Sequence, residues 1–374
     1  MTDRHLVEKG AMSQWELTRL RFSRHRLAVA SLLVLIVLYT MALFAEFLAP
    51  TTPNERNYDY MWCPPQIPRF SLGEGFYVHG RVNKTNPVTL ETYYLEDPDV
   101  RVPLGFFVKG EPYRFWGLFK WDRHFFGVRK EAFDPPPGSD VQPVWFFLGS
   151  DRYGHDLLSR LIYGSRISLS IGLIAISLTF VLGLLLGGIS GYAGGRTDLV
   201  IQRLIEIINA FPALPLWLAL AAILPPTWGP LTVYFMITVI LSALGWTGLA
   251  RVVRGKILAL REEEYAVAAR LMGASHGRII FRHLLPGFTS HIVVSLTLSI
   301  PGMILGETSL SFLGLGLRPP IVSWGVLLQD CLDLQVVASY PWLLMPVFMI
   351  IITVFAFNYM GDGIRDAADP YSSS

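Results

Sequence analysis

Charge is scarce in this chain. Of its 374 residues, 16% are Asp, Glu, Lys or Arg, where soluble domains carry about a quarter. The formal net charge of +2 is too small an excess to hold nucleic acid. No G-x-x-x-x-G-K-[ST] stretch occurs, so the chain lacks the usual loop for cradling ATP phosphates. No H-E-x-x-H and no paired-cysteine motif is present, which removes the common zinc patterns. The two cysteines, Cys63 and Cys331, permit a single intramolecular pairing.

What the chain has instead is apolar length. It is 52% hydrophobic with a mean hydropathy of +0.42. Several apolar runs approach the ~20 residues that cross a bilayer as helix. The reading is an all-α integral membrane protein with six transmembrane helices, at about 27–49, 167–190, 203–223, 231–250, 288–308 and 342–360. The third is the weakest, because it contains Glu206, Asn209, Pro212 and Pro215. The first has no small-residue cleavage pattern after it and reads as an anchor. The expected organisation is an N-terminal tail (1–26), the first span (27–49), a long loop module (50–166), a membrane core (167–361) with a polar loop at 251–286, and a C-terminal tail (362–374).

Lys and Arg in short loops set the orientation. The N-terminal tail holds Arg4, Lys9, Arg19, Arg21, Arg24 and Arg26. The turn after span two holds Arg196 and Arg203, and the loop after span four begins Arg251, Arg254, Lys256. The turn after span three has no basic residue, and the loop after span five has only Arg318. The alternation places both termini and the 251–286 loop in the cytoplasm. The 50–166 loop then lies outside. It balances fourteen basic against fourteen acidic residues and holds thirteen of the 25 prolines. Its aromatics argue against a disordered linker. Stretches such as YRFWGLFKW suggest short strands and turns in a module of low regularity.

The stretch EYAVAARLMGASHGRIIFRHLLPG, residues 264–287, is polar between two apolar runs. Tyr265, Ala268, Ala269 and Met272 recur at helical spacing as a stripe of mostly small residues. Gly273 permits a helix stop, Ser275 is placed to cap a second short helix, and Pro286 suits the first turn of the next span. Such a helix fits a cytoplasmic partner's groove; an amphipathic helix resting on lipid headgroups fits equally.

Here the sequence resembles a known family. Ala268, Ala269, Gly273, Leu285 and Pro286 match the frame of the EAA loop of binding-protein-dependent ABC importer permeases, with Val267 where that motif has its acid and His283 at its apolar position. The His283 departure recurs in the peptide-transporter branch. LGSDRYGHDLLSRLIYGSRISLSIG (148–172), with departures at Ser150 and His155, GYAGGRTD (191–198) and GETSLSFLGLGL (306–317) are similar to segments of the C-type subunit of oligopeptide/dipeptide permeases. The resemblance implies a bacterial inner-membrane, multi-pass subunit that is not itself an enzyme. It implies a second homologous permease, two cytoplasmic ATPases that bind ATP and Mg and receive the EAA helix, and an extracytoplasmic solute-binding protein. No cofactor is expected in this chain. The ATPase-coupling set is Tyr265, Ala268, Ala269, Met272, Gly273, Arg282 and Pro286. Peptide is the expected cargo; oligosaccharides, metal chelates and opine-like solutes are the alternatives within the same architecture.

Other classes fit less well. A secondary transporter calls for ionisable pairs at membrane depth, whereas Glu46, Glu206 and Glu307 fall near span ends. Glu206, Asn209, Ser295, Thr297 and Ser299 are candidates to line a path, or else to bond between helices. Gly183, Gly187, Gly188 and Gly191 suit close helix packing. Cys63 and Cys331 fall on one side of the membrane, where an oxidising compartment permits a bridge.

Overall fold

The computed structural model describes residues 14–85, 87, 92–137 and 139–368. The tail residues Arg4 and Lys9 and the chain beyond 368 lie outside the described residues. Helix α1 is Gln14–Arg24 and α2 is Arg26–Leu43. At 18 residues α2 is about 27 Å long, close to the ~30 Å hydrocarbon thickness. A break at Phe44 precedes the short α3, Ala45–Leu48, so the stretch expected as the first span is not one continuous helix.

An antiparallel sheet follows, in the order β1 (Arg69–Ser71), β2 (Gly75–Thr85), β3 (Thr92–Phe115) and β4 (Phe119–Val128). The chain is mostly helical, as expected, but the expectation of short strands and turns in a module of low regularity is corrected here. The module is a regular four-stranded meander whose third strand runs 24 residues. Its period was hidden because aromatics occupy both faces and register shifts at His79/Gly80 and Lys109/Tyr113 reset the alternation. Val78, Val100, Val102, Leu104, Val141 and Trp145 form its core.

The remaining helices are α4 (Leu157–Ala193), α5 (Gly195–Asn209), α6 (Ala213–Ala222), α7 (Pro230–Leu260), α8 (Glu264–Leu271), α9 (His276–Phe312) and, after the short α10 (Trp324–Leu327) and α11 (Leu334–Ser339), α12 (Pro341–Ala368). Among the described residues α2, α4, α7, α9 and α12 are long and apolar enough to cross a membrane. The expected third span is not one helix. Its halves, α5 and α6, meet at 85°. Pro212, with ψ 132°, stands at the start of α6 in extended geometry, and Pro215 follows in the first turn, where no helical donor is missed. The ten residues of α6, about 15 Å, are too short to cross alone. α4 begins ten residues before the expected span because Asp156 caps it, its Oδ2 accepting from Ser159 N at 2.9 Å.

By internal contacts the chain forms two units. One comprises Met1–Val37, Ser170–Leu310 and Ile351–Ser374; the other comprises Leu38–Leu169 and Ser311–Ile350. The sheet belongs to the second and the 251–286 loop to the first.

Candidate functional site

The loop at 264–287 is built as local chemistry dictates. α8 ends in a left-handed residue, Gly273, at φ +79°. Gly273 N donates to Arg270 O and Ala274 N to Ala269 O, both at 3.1 Å. This paired closure satisfies carbonyls that the helix end leaves open. Ser275 Oγ accepts from Arg278 N at 3.4 Å and starts α9. A wide turn at Ile279–Leu284 and a tight one at Leu285–Phe288, led by Pro286, continue it.

The expected stripe divides between two faces. Ala269, with Ala266, is buried against Val253, Ile257, Ile279 and Ile280. Tyr265, Ala268 and Met272 stay exposed, joined by Leu271. Leu271 and Met272 are each 81% exposed, a high value for large apolar side chains. Arg282 and Pro286 are exposed as well. Leu271 was missed in the sequence because the EAA frame says nothing of that position; its spacing of three from Ala268 is the signal that was there.

The loop's inner face rests on a close helix pair. A Cβ on Gly187 would lie 2.5 Å from Ala250 O and 2.8 Å from its Cα, and one on Gly191 would lie 2.9 Å from Arg254 O. A Cβ on Gly183 would lie 2.8 Å from the Leu249 side chain. The expected packing role of these glycines is therefore seen at three of the four, spaced every fourth residue along α4 against α7. Gly188 points elsewhere, with its nearest neighbour, Ile280, at 3.5 Å. Arg254 of α7 holds Asp198 of α5 with two bonds, Nε to Oδ1 at 2.5 Å and Nη2 to Oδ2 at 2.6 Å. Arg261 Nη1 donates to Gly191 O at 3.1 Å, at the C-terminal end of α4 where a cation is favoured. Spacing alone did not reveal Asp198–Arg254, because the two lie in different elements.

Each of the candidate path residues has a bonding partner. Glu206 pairs with Arg203 at 2.6 Å on an exposed face, three residues apart on α5. Asn209 Oδ1 accepts from Thr247 Oγ1 at 3.1 Å, joining the end of α5 to α7. On α9, Thr297 Oγ1 donates to Val293 O at 2.9 Å and Ser299 Oγ to Ser295 O at 2.7 Å, so both hydroxyls bond within their own helix. Thr297 and Leu298 pack beside Gly361 of α12.

The entry to α4 carries buried charge. Asp151 accepts from His155 Nδ1 at 2.8 Å and from Arg160. Burial alone would raise the Asp151 carboxyl, but the His155 hydrogen bond and the Arg160 charge outweigh it and hold it below its ordinary value. Asp156, fully buried, is pushed up to about 6 by desolvation. Both family departures have structural partners. His155 binds Asp151, and Ser150 Oγ accepts from Cys63 N at 2.8 Å while its carbonyl accepts from Trp342 Nε1 at 3.1 Å.

Cys63 and Cys331 are free thiols here, so of the two states open to them, bridged or unpaired, the structure has the unpaired one. Cys63 is buried with Tyr60 and Phe146, whereas the Cys331 thiol faces Leu343 O at 3.4 Å. Burial pushes both thiols up to about 11.

The arrangement so far is that of a polytopic helical membrane protein whose polar loop presents a short, firmly seated helix. Profiles of known families agree with it. The binding-protein-dependent transport system inner membrane component matches residues 183–372, and the N-terminal TM domain of oligopeptide transport permease C matches 13–65. The chain belongs to this permease family, in its oligopeptide/dipeptide C-type branch. The dipeptide transport system permease protein DppC of Bacillus subtilis is 40% identical over 63% of this chain and 70% of its own. The oligopeptide transport system permease protein OppC of the same organism is 31% identical over 98% of this chain and 93% of its own. OppC of Haemophilus influenzae is 40% identical over 60% of this chain and 70% of its own.

Proposed function

We propose that this chain is the non-catalytic permease subunit of an ATP-driven importer, and that with a second permease it forms the path for peptides handed over by a solute-binding protein. Membership of the family and the peptide-transport names of its relatives support the cargo. The Lys and Arg distribution supports cytoplasmic termini and a cytoplasmic 251–286 loop, with the sheet module on the side where ligand arrives.

The observation that carries the reading is the two-sided character of α8. One face, through Ala266 and Ala269, is locked into the core of α7 and α9; the other offers Tyr265, Ala268, Leu271 and Met272 to a partner. A helix in a groove transmits force only if its own base is firm. ATPases that close on ATP and Mg would bias the membrane part between inward- and outward-facing states through this helix. Arg282 and Pro286 lie on the same loop and are assigned to its rim. In this reading Glu206, Asn209, Ser295, Thr297 and Ser299 serve first as helix-to-helix or within-helix bonds, with Asn209–Thr247 steadying the bend between α5 and α6.

Co-expression with the ATPase subunits and purification through this chain tests the proposal. Wild type should carry the ATPases with it. Met272→Asp, on an exposed side chain that folding does not use, should lose them while the chain still inserts. Equal recovery of ATPases from both would reject α8 as the docking helix.

A further inference from the structure

The tip of the β3–β4 hairpin is apolar where a water-facing turn would be polar. Leu118 is 82% exposed, Phe119 54% and Trp116 48%. The tip stands beside the last turn of the first span. Trp116 Nε1 donates to Leu43 O at 2.9 Å, and Trp116 N donates to Glu46 Oε1 at 3.1 Å. Phe119 and Trp121 line one open groove with Thr40, Phe44 and Phe47, and no polar surface lines it. Phe47 stacks on Trp121, with ring centroids 5.7 Å apart.

Three features identify what covers this surface. The groove is continuous with the end of α2, a membrane span, where Leu43 and Phe44 are themselves 49% and 40% exposed. The turn's own donors are satisfied internally, Gly117 N by Arg114 O at 3.1 Å and Leu118 N by Phe115 O at 2.9 Å, as a lipid-facing backbone requires. Above the apolar tip, Arg114 and Lys120 face each other directly across the strands, both exposed. A cationic pair over an aromatic tip matches phosphate over acyl chain, and Trp at this level is where amphipathic rings settle. The Arg166 guanidinium, 4.3 Å from the Trp116 ring and paired with Glu46, marks the same boundary.

We propose that residues 115–119 insert into the leaflet at the C-terminal end of α2, with Arg114 and Lys120 against lipid phosphates, so that the sheet module is anchored to the bilayer by its hairpin as well as by its chain connections. The inference does not depend on which side of the membrane that leaflet faces, or on the cargo.

Spin-label accessibility tests it in the assembled complex, in nanodiscs containing phosphatidylglycerol. In a Cys63→Ala/Cys331→Ala background, a label at Leu118→Cys should be relaxed by oxygen more than by a water-soluble nickel chelate. A label at Lys84→Cys, on exposed β2, should show the reverse. Nickel relaxing the Leu118 label as readily as the Lys84 label would place the tip in water and overturn the proposal. Shielding from both agents would mean that protein covers the tip, and would overturn it equally. If the cysteine-free background does not assemble, a photoreactive residue at 118 in the otherwise native chain should yield lipid adducts; protein adducts or none would overturn the proposal.

Discussion

Asp198 and Arg254 lie 56 residues apart and face each other with two parallel bonds of 2.5 and 2.6 Å. The pair ties α5 to α7 just before α7 runs on into the 264–287 loop, and it is one-third or less exposed on either side. Removing one partner leaves a half-buried charge unmatched. Asp198→Ala should destabilise by about 1.5–3 kcal/mol, the range for hydrogen bonds to charged groups. The double variant with Arg254→Ala should recover part of that loss, since the two share one interaction. Thermal unfolding midpoints of the chain in nanodiscs give both values.

Glycines 187 and 188 are adjacent in sequence and opposite in consequence. Gly187→Leu forces a side chain against the Ala250 backbone, so α4 and α7 must separate, at about 1–3 kcal/mol for overpacking. Gly188→Ala meets only side-chain tips at ordinary contact distance, Ile280 at 3.5 Å and Ile257 at 3.8 Å, and should leave the unfolding midpoint and uptake near wild type. Equal effects at the two positions would contradict the packing described here.

Gly273 is required by its backbone geometry. A Cβ there meets nothing within 4 Å, but φ is +79°. Gly273→Ala should cost about 1–2 kcal/mol from the left-handed conformation and reduce uptake slightly. Gly273→Trp carries the same backbone strain and adds bulk beside the face proposed to dock. It should therefore lower uptake and ATPase stimulation well beyond the alanine variant. Matching behaviour of the two would remove Gly273 from the partner contact.

Asp156 predicts a pH dependence. Its folded value, about 6, lies above the ordinary 3.8, so the folded state holds this proton longer than the unfolded state does. Its contribution is therefore greatest below about pH 4, falls as pH rises through about 6, and is flat above. The full span is about 3 kcal/mol at ~1.4 kcal/mol per unit. Asp151, held below its ordinary value, runs the other way and loses its contribution only as pH falls through the acid range. Asp156→Asn should flatten the portion of the unfolding-midpoint profile between about pH 4 and 6; an unchanged slope would show that Asp156 is not the group responsible.

The elements legible in the sequence were those fixed by neighbours in the chain. Gly273, Ser275 and Pro286 act within a turn or two, so composition and order suffice to place the helix stop, the cap and the restart. The weakness of the third span at Pro212 and Pro215 was readable for the same reason. Long-range facts were not. Which side of α8 is buried is decided by Ile279 and Ile280 folding back on Ala266 and Ala269, so the stripe looked single. YRFWGLFKW marks the β3–β4 turn, but the length and pairing of the strands were hidden by Phe and Trp on both faces of β3 and β4. The early start of α4 was hidden by Arg160 and Arg166, whose charges are neutralised by Asp151 and Glu46 from elsewhere.

The most direct test of α8 as the coupling helix is a photoreactive residue placed at Met272 in the assembled, transport-active complex. Illumination should give adducts to an ATPase subunit. The same residue at Leu332, an exposed apolar position in the loop between α9 and α12, should give none. ATPase adducts absent at Met272, or as abundant at Leu332, would contradict α8 as the coupling helix and the topology on which that reading rests.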